Sequence, residues 1–283
     1  MLFVKFYAPR WGMENVPWAR FLEMVKSNGF QGIEVYPLRK PEEKQEMLKG
    51  LAARGLEFSL IHTVSGPQRN FKEYVNAMEE NLYTLVNYQS YGIKPEFITS
   101  QTGREYYTKE QMAICFDICD RISREAAIPI IQETHRNKWS YAAHIVKEYL
   151  NDFPLISLAL DFSHWVCVSE SYLEDQQDAV ELAINHGVHL HARVGHPQGP
   201  QVTDPRAPEN AEALKFHLQW WDQWINRLIE KGIRQCSITP EFGPYPYMSY
   251  LSFTTIPVSN QWEINCYMKD MLTRRYREIC DTA

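Results

Sequence analysis

Five stretches of the chain hold acids and histidines that could share one reaction. They are His62, Glu133 with His135, Asp161 with His164, His189-x-His191-x-Arg193, and Glu241. Carboxylates and imidazoles ligate divalent cations and pass protons near neutral pH. Glu133, Asp161, His191 and Glu241 together offer three carboxylates and one imidazole. That set suits a single Mn2+, Mg2+, Co2+ or Zn2+, with room for substrate or water as further ligands. Each residue alone has a plainer use. A strand-end acid caps the next helix or pairs with a base, and a histidine in an apolar strand packs in the core. Arg193 could be an ion-pair partner. Recurrence is what points to a site. Glu34, His62, Ser100, Glu133, Asp161 and His191 lie 28, 38, 33, 28 and 30 residues apart. Each step is about one β-α unit.

The elements that must carry these residues alternate eight times. Strands are expected at 2–7, 32–36, 58–63, 96–100, 128–134, 156–162, 188–194 and 236–242. Helices are expected at 17–28, 41–54, 70–90, 108–126, 140–151, 173–186, 209–231 and 260–281. Near-continuous apolar runs fit strands buried on both faces. Thr108 and Gln111 read as a capping box. Gly29, Gly55, Gly92, Gly187 and Gly232 each stand where a helix should end. The result is an α/β protein, a closed (β/α)8 TIM barrel forming one domain over 1–283. The rival is an open doubly wound sheet. Its nucleotide-binding forms lose support, since neither G-x-G-x-x-G after the first strand nor G-x-x-x-x-G-K-[ST] occurs. Barrel active sites lie at the C-terminal strand ends, where the acids and histidines fall. Burying several carboxylates there calls for a compensating cation. Two irregular stretches, 195–209 and 243–257, read as long loops after strands seven and eight.

Composition narrows the function classes. Of 283 residues, 45% are hydrophobic and 23% charged, and the net charge is −6. Such a balance disfavours nucleic-acid binding through overall charge. The N-terminus has no signal-peptide pattern and no apolar run is long enough for a membrane span, so a cytoplasmic protein is expected. None of the six cysteines forms a C-x-x-C pair, and reduced, packed thiols are expected. Aromatics reach 13%, with 8 Trp and 16 Tyr. Tyr7, Trp11, Tyr36, Trp139, Trp165, Tyr245 and Tyr247 fall at or just past strand ends, where rings can stack on the C–H face of a sugar. Trp220, Trp221, Trp224 and Trp262 fall on helices and read as packing or homo-oligomer interface residues.

Five motifs carry a family resemblance: GFQGIEVYP (29–37), IIQETH (130–135), LDFSHW (160–165), HLHARVGH (189–196) and TPEFG (239–243). With them the chain resembles the xylose isomerase-like barrel superfamily, which holds sugar isomerases and epimerases, inosose dehydratases and family 2 apurinic endonucleases. The resemblance implies Glu133, Asp161, His191 and Glu241 as ligands of one divalent metal. It implies Glu133 and Glu241 as the pair that moves a proton through a metal-stabilised enediolate. His164 and Arg193 would position substrate, with His62, Trp11, Tyr36 and Trp165 around it. The implied substrate is a small sugar, polyol or derivative. The implied activity is an isomerase or epimerase. The alternatives are a keto-polyol dehydratase of the same superfamily and a barrel that binds sugar without turning it over. The endonuclease pattern is broken at two places. Thr99-Ser100-Gln101 stands where its strand-four histidine belongs, and Asp204-Pro205-Arg206 replaces its D-x-H. The keto-sugar epimerases place an arginine several residues past the strand-seven ligand, where this chain has Pro197.

Overall fold

The computed structural model describes residues 2–282, apart from the side chains of 278 and 280–282. Eight parallel strands pair in chain order, and β1 pairs with β8 to close the barrel. They are β1 (Phe3–Pro9), β2 (Gly32–Val35), β3 (Glu57–Thr63), β4 (Ile98–Gln101), β5 (Ile130–Glu133), β6 (Leu158–Leu160), β7 (Gly187–His191) and β8 (Gln235–Thr239). The helices are α1 (Trp18–Ser27), α2 (Pro41–Arg54), α3 (Phe71–Val86), α4 (Lys109–Ala126), α5 (Ala143–Asp152), α6 (Phe162–Ser169), α7 (Gln177–His186), α8 (Ala211–Glu230) and α9 (Gln261–Thr282). Every residue of β2, β4 and β6 is buried, because helices cover the outside while side chains fill the inside. No helix among the described residues is long and apolar enough to cross a membrane.

Local chemistry sets the element ends. Pro41 opens α2, and Gly55 closes it in the left-handed conformation at φ 60°. Thr108 and Gln111 make both bonds of the capping box on α4. Three expectations are corrected. Strand six ends at Leu160 rather than 162, because the Asp161 carboxylate accepts from Ser163 N at 2.9 Å and caps α6. Phe162, expected to end strand six, instead opens α6, and Phe162–Val166 are buried. The helix expected over 173–186 shortens to α7.

Gly187 is not a left-handed helix end. It begins β7 in extended conformation, and a Cβ there would lie 2.4 Å from Leu160 Cδ1 and 2.9 Å from Trp224 Nε1. Glycine is needed at that point for close packing. Trp220, Trp221 and Trp224 of α8 are buried, Trp220 against Phe162 of α6 and Trp224 donating to Gly187 O at the start of β7, so they are packing residues. Cys115, Cys119, Cys167 and Cys266 are free thiols, and burial pushes the first two up to about 12 and about 11. The Cys280 side chain lies outside the described residues.

Candidate active site at the barrel mouth

Alternation along each strand decides which side chains face the interior. On β2, Glu34 points in and accepts from Ser59 Oγ of β3 at 3.0 Å. On β7, His189 and His191 point the same way, with Nε2 atoms 3.5 and 2.8 Å from the Glu34 carboxylate. The His191 contact is close but off the axis of a good hydrogen bond. The other ring nitrogen of His191 looks up towards the mouth. Its Nδ1 lies 3.4 Å from Glu133 Oε1 at the end of β5 and 3.2 Å from Glu241 Oε2 just past β8. Asp161, past β6, completes the group. Ligand atoms of Glu133, Asp161, His191 and Glu241 all lie within 4.8 Å of one another, and all four residues are buried.

Arg193 enters the same space. Its Nη2 pairs closely with Asp161 Oδ2, lies 3.2 Å from Glu241 Oε2 and 3.0 Å from His164 Nε2. Its Nε donates to Ser163 Oγ at 3.2 Å. Gln101 donates to Glu133 Oε2 at 3.0 Å and orients that carboxylate. Electrostatics follow from burial. Burial opposes a charge on His191, yet Glu241, Glu34 and Glu133 hold its pKa well above the ordinary histidine value. Burial raises Glu34 and Asp161, with His191 and Arg193 respectively pulling back. Burial also opposes ionisation of Glu133, but His191, His135 and the hydrogen bond from Gln101 together bring the carboxyl down to about 2. Arg193 and His191 thus face four acidic side chains, Glu34, Glu133, Asp161 and Glu241.

The donor set fits a divalent cation on an observation independent of any resemblance. Glu133 Oε1, Glu241 Oε2 and His191 Nδ1 are buried, carry no hydrogen bond and converge. Buried polar atoms without partners are uncommon, and three converging ones mark a place for a cation.

Aromatic rings form the wall. Trp11 meets Tyr247 edge-on with centroids 5.0 Å apart, and Arg193 Cζ lies 4.8 Å from the Tyr247 ring. Gly243 allows this, since a Cβ there would lie 2.1 Å from the Trp11 ring. Trp11 and Tyr36 also line a cavity of about 360 Å3 beside the ends of β1 and β2. Burial, with repulsion from Arg104, pulls the Lys138 ammonium down to about 8, and its Nζ donates to Thr63 Oγ1 at 3.2 Å.

The structure brings Glu133, Asp161, His164, His191, Arg193 and Glu241 together. It does not bring His62 or Trp165 to them. His62 bonds Ser100 Oγ at 2.8 Å through Nδ1. Ser59 and Gln101 face the interior, so His62, three residues from the first, and Ser100, next to the second, face the helix layer. Trp165 is fully buried on α6 and donates to Ser140 O at 2.8 Å, so it supports the site from behind. Trp139 likewise packs on Phe116 and Tyr149. The sequence does not single out Glu34, Gln101 and Lys138 for these places, whereas His135, expected beside Glu133, lies against His164 with ring centroids 3.9 Å apart. For Glu34 the signal was there, because it begins the spacing series.

The Glu34 contact yields a direct expectation. Carboxylates beside a ligating imidazole fix its tautomer, and their removal costs about 10–100-fold in metal affinity. Glu34→Ala should therefore weaken Mn2+ or Zn2+ binding by about that factor, read by calorimetry on protein stripped of metal. Unchanged affinity would show that His191 is held without it.

No family model matches the chain, and no curated protein matches it in sequence. Solved structures do. A probable 3-DHS dehydratase from Bacillus anthracis superposes with a TM-score of 0.62 at 17% identity, covering 95% of this chain and 98% of its own. A 3-keto-D-glucoside 4-epimerase from E. coli gives 0.61 at 10% identity, covering 96% and 100%. The IolI protein with a bound zinc atom gives 0.58 at 14%, covering 95% and 97%. At these identities the likeness speaks to architecture alone, and with the closed parallel barrel it shows that this chain has the (β/α)8 barrel fold of those structures.

Proposed function

We propose that the chain is a divalent-metal-dependent isomerase or epimerase acting on a small sugar or sugar derivative. The observation that carries this reading is the convergence of Glu133, Asp161, His191 and Glu241 at one buried point, with Glu133 Oε1, His191 Nδ1 and Glu241 Oε2 left without hydrogen bonds. Those four residues would hold the metal. When bound, a divalent cation polarises a substrate carbonyl and offsets the charge that builds on its oxygen. The rest falls to the chain. One of Glu133 and Glu241 takes the proton from the carbon beside the carbonyl, and the other returns one to a different face or carbon. Gln101 keeps Glu133 aimed. His164 and Arg193 hold hydroxyls, Trp11 and Tyr247 cover the apolar face of the sugar, and Tyr36 closes the side towards β2. Solved structures of this fold include an epimerase, a probable dehydratase and a zinc-binding protein, which supports an enzyme built around a metal.

A second reading, loss of water from a keto-polyol, draws on Lys138. This buried ammonium, drawn to about 8, lies near Glu133 and could protonate a departing hydroxyl.

One experiment separates the readings. Metal-free chain is loaded in turn with Mn2+, Mg2+, Co2+ and Zn2+ and incubated with a panel of keto-sugars in D2O. The expected NMR result is a rearranged sugar carrying deuterium beside its carbonyl. A dehydrated product favours the second reading. Failure to bind any of the four metals, or bound sugar with no C–H exchange, overturns both.

A further inference from the structure

A second surface stands apart from the barrel mouth. From Gly243 to Trp262 the chain carries no charged residue. This segment forms a tight hairpin, with Leu251 N donating to Ile256 O at 2.9 Å and Val258 N to Ser249 O at 3.0 Å. Tyr245 and Tyr250 stack at its base, 4.7 Å apart. The hairpin holds apolar side chains outward. Leu251 is 50% exposed, Ile256 57% and Phe253 107%. Phe253 sits at the tip with φ 63°, a left-handed conformation that a bulky residue seldom adopts. A strained aromatic residue held open to solvent asks for a use beyond folding. Beside the tip runs a groove of about 760 Å3, whose lining includes Met13, Met24, Met248, Pro257 and Trp262 and no charged residue.

We infer that this face is where two copies of the chain meet, Phe253 of each seating in the groove of the other. A two-fold contact needs a patch that complements itself, with knob and groove both on each copy. One loop carries both here. Absence of charge matches the centre of protein interfaces rather than ordinary surface. Methionine side chains in the groove adapt readily to an inserted ring. Tyr245, Tyr250, Leu251, Phe253, Ile256 and Val258 expose on the order of 600 Å2 per copy, taking about 150–250 Å2 for a whole aromatic side chain. Two copies then bury on the order of 1,200 Å2, the lower bound of specific interfaces. Such an area gives a reversible dimer. Tyr247 belongs to the same loop and faces Arg193 on its inner side, so the partner would brace one wall of the mouth.

Sedimentation velocity on the whole chain, from about 1 to 100 µM, tests this. The wild-type chain is expected to pass from monomer to dimer in that range. Phe253→Asp and Ile256→Asp should each raise the dimer Kd by at least about 100-fold, the size expected for a central anchor. Both side chains are exposed, so circular dichroism of the variants should be unchanged. Leu155→Asp, at a residue 95% exposed elsewhere on the surface, should leave the Kd as it was. A wild-type monomer throughout the range overturns the inference, as does a dimer that survives Phe253→Asp.

Discussion

Glu241→Gln is expected to lower kcat by about 1,000-fold on whichever keto-sugar exchanges its C–H proton in D2O. The substitution keeps the shape of the side chain and removes its charge and its basicity. Glu241 is buried, and its Oε2 stands 3.2 Å from both His191 Nδ1 and Arg193 Nη2. An amide there can neither accept the substrate proton nor attract a cation as a carboxylate does. Positioned acid–base groups contribute about 10^2- to 10^4-fold, and 1,000-fold corresponds to about 4 kcal/mol of barrier. Two measurements divide the loss. Metal content of the purified variant reads the ligand role. Turnover at saturating metal, with deuterium wash-in followed by NMR, reads the proton-transfer role. If turnover at saturating metal stays within a few fold of wild type, Glu241 is not a proton-transfer residue, and Glu133 must act alone.

The barrel is legible because most strands are short apolar runs with polar residues at their C-terminal ends, and several helices are punctuated by Pro, Thr or Gly, as Pro41 and Gly55 do for α2 and Thr108 for α4. Strand pairing in chain order then follows from one β-α unit repeating. What the sequence concealed has physical causes. Asp161 reads as a strand-end ligand, yet the same carboxylate caps α6, so the chain turns into helix at Phe162. His62 sits at the depth expected of a site residue, but a shift of one residue in a strand turns a side chain to the other face. Depth is set by spacing, and facing is set by register, which spacing does not contain. Glu34 contacts His191 across the barrel from β2 to β7, and no sequence interval encodes that pairing. Arg193 was read as a group for substrate hydroxyls. The structure engages it first with Asp161 and Glu241, two of the three acids expected to hold metal.

That engagement makes Arg193 the residue on which the stability of the metal-free site should turn. Arg193→Met keeps an unbranched side chain of similar length and removes the cation. Breaking a buried ion pair from one side costs about 3–5 kcal/mol, because the remaining charge stays buried without a partner. Here Asp161 keeps the hydrogen bonds from Ser163 N and Oγ but loses the Arg193 charge, and His164 Nε2 at 3.5 Å does not replace it, since burial holds His164 well below the ordinary histidine pKa. The sign of the pH dependence follows. Burial already raises Asp161 above its ordinary value, and Arg193 is the main group pulling it back, so the variant raises it further. A carboxyl whose folded pKa exceeds its unfolded one stabilises the fold below the unfolded pKa. It loses that contribution as pH rises through the folded value. Urea unfolding should therefore show Arg193→Met close to wild type near pH 4 and about 3–5 kcal/mol less stable at pH 8 without metal. Mn2+ or Zn2+ should restore much of the difference, since a cation bound only by the folded state adds about 2.7 kcal/mol at a hundred times its Kd. Metal should also stabilise the variant more than the wild type, where Arg193 already occupies Asp161 and Glu241. A variant as stable as wild type at pH 8 without metal would mean that the four acids do not need a cation, and the case for a metal centre at the barrel mouth would lose its electrostatic ground.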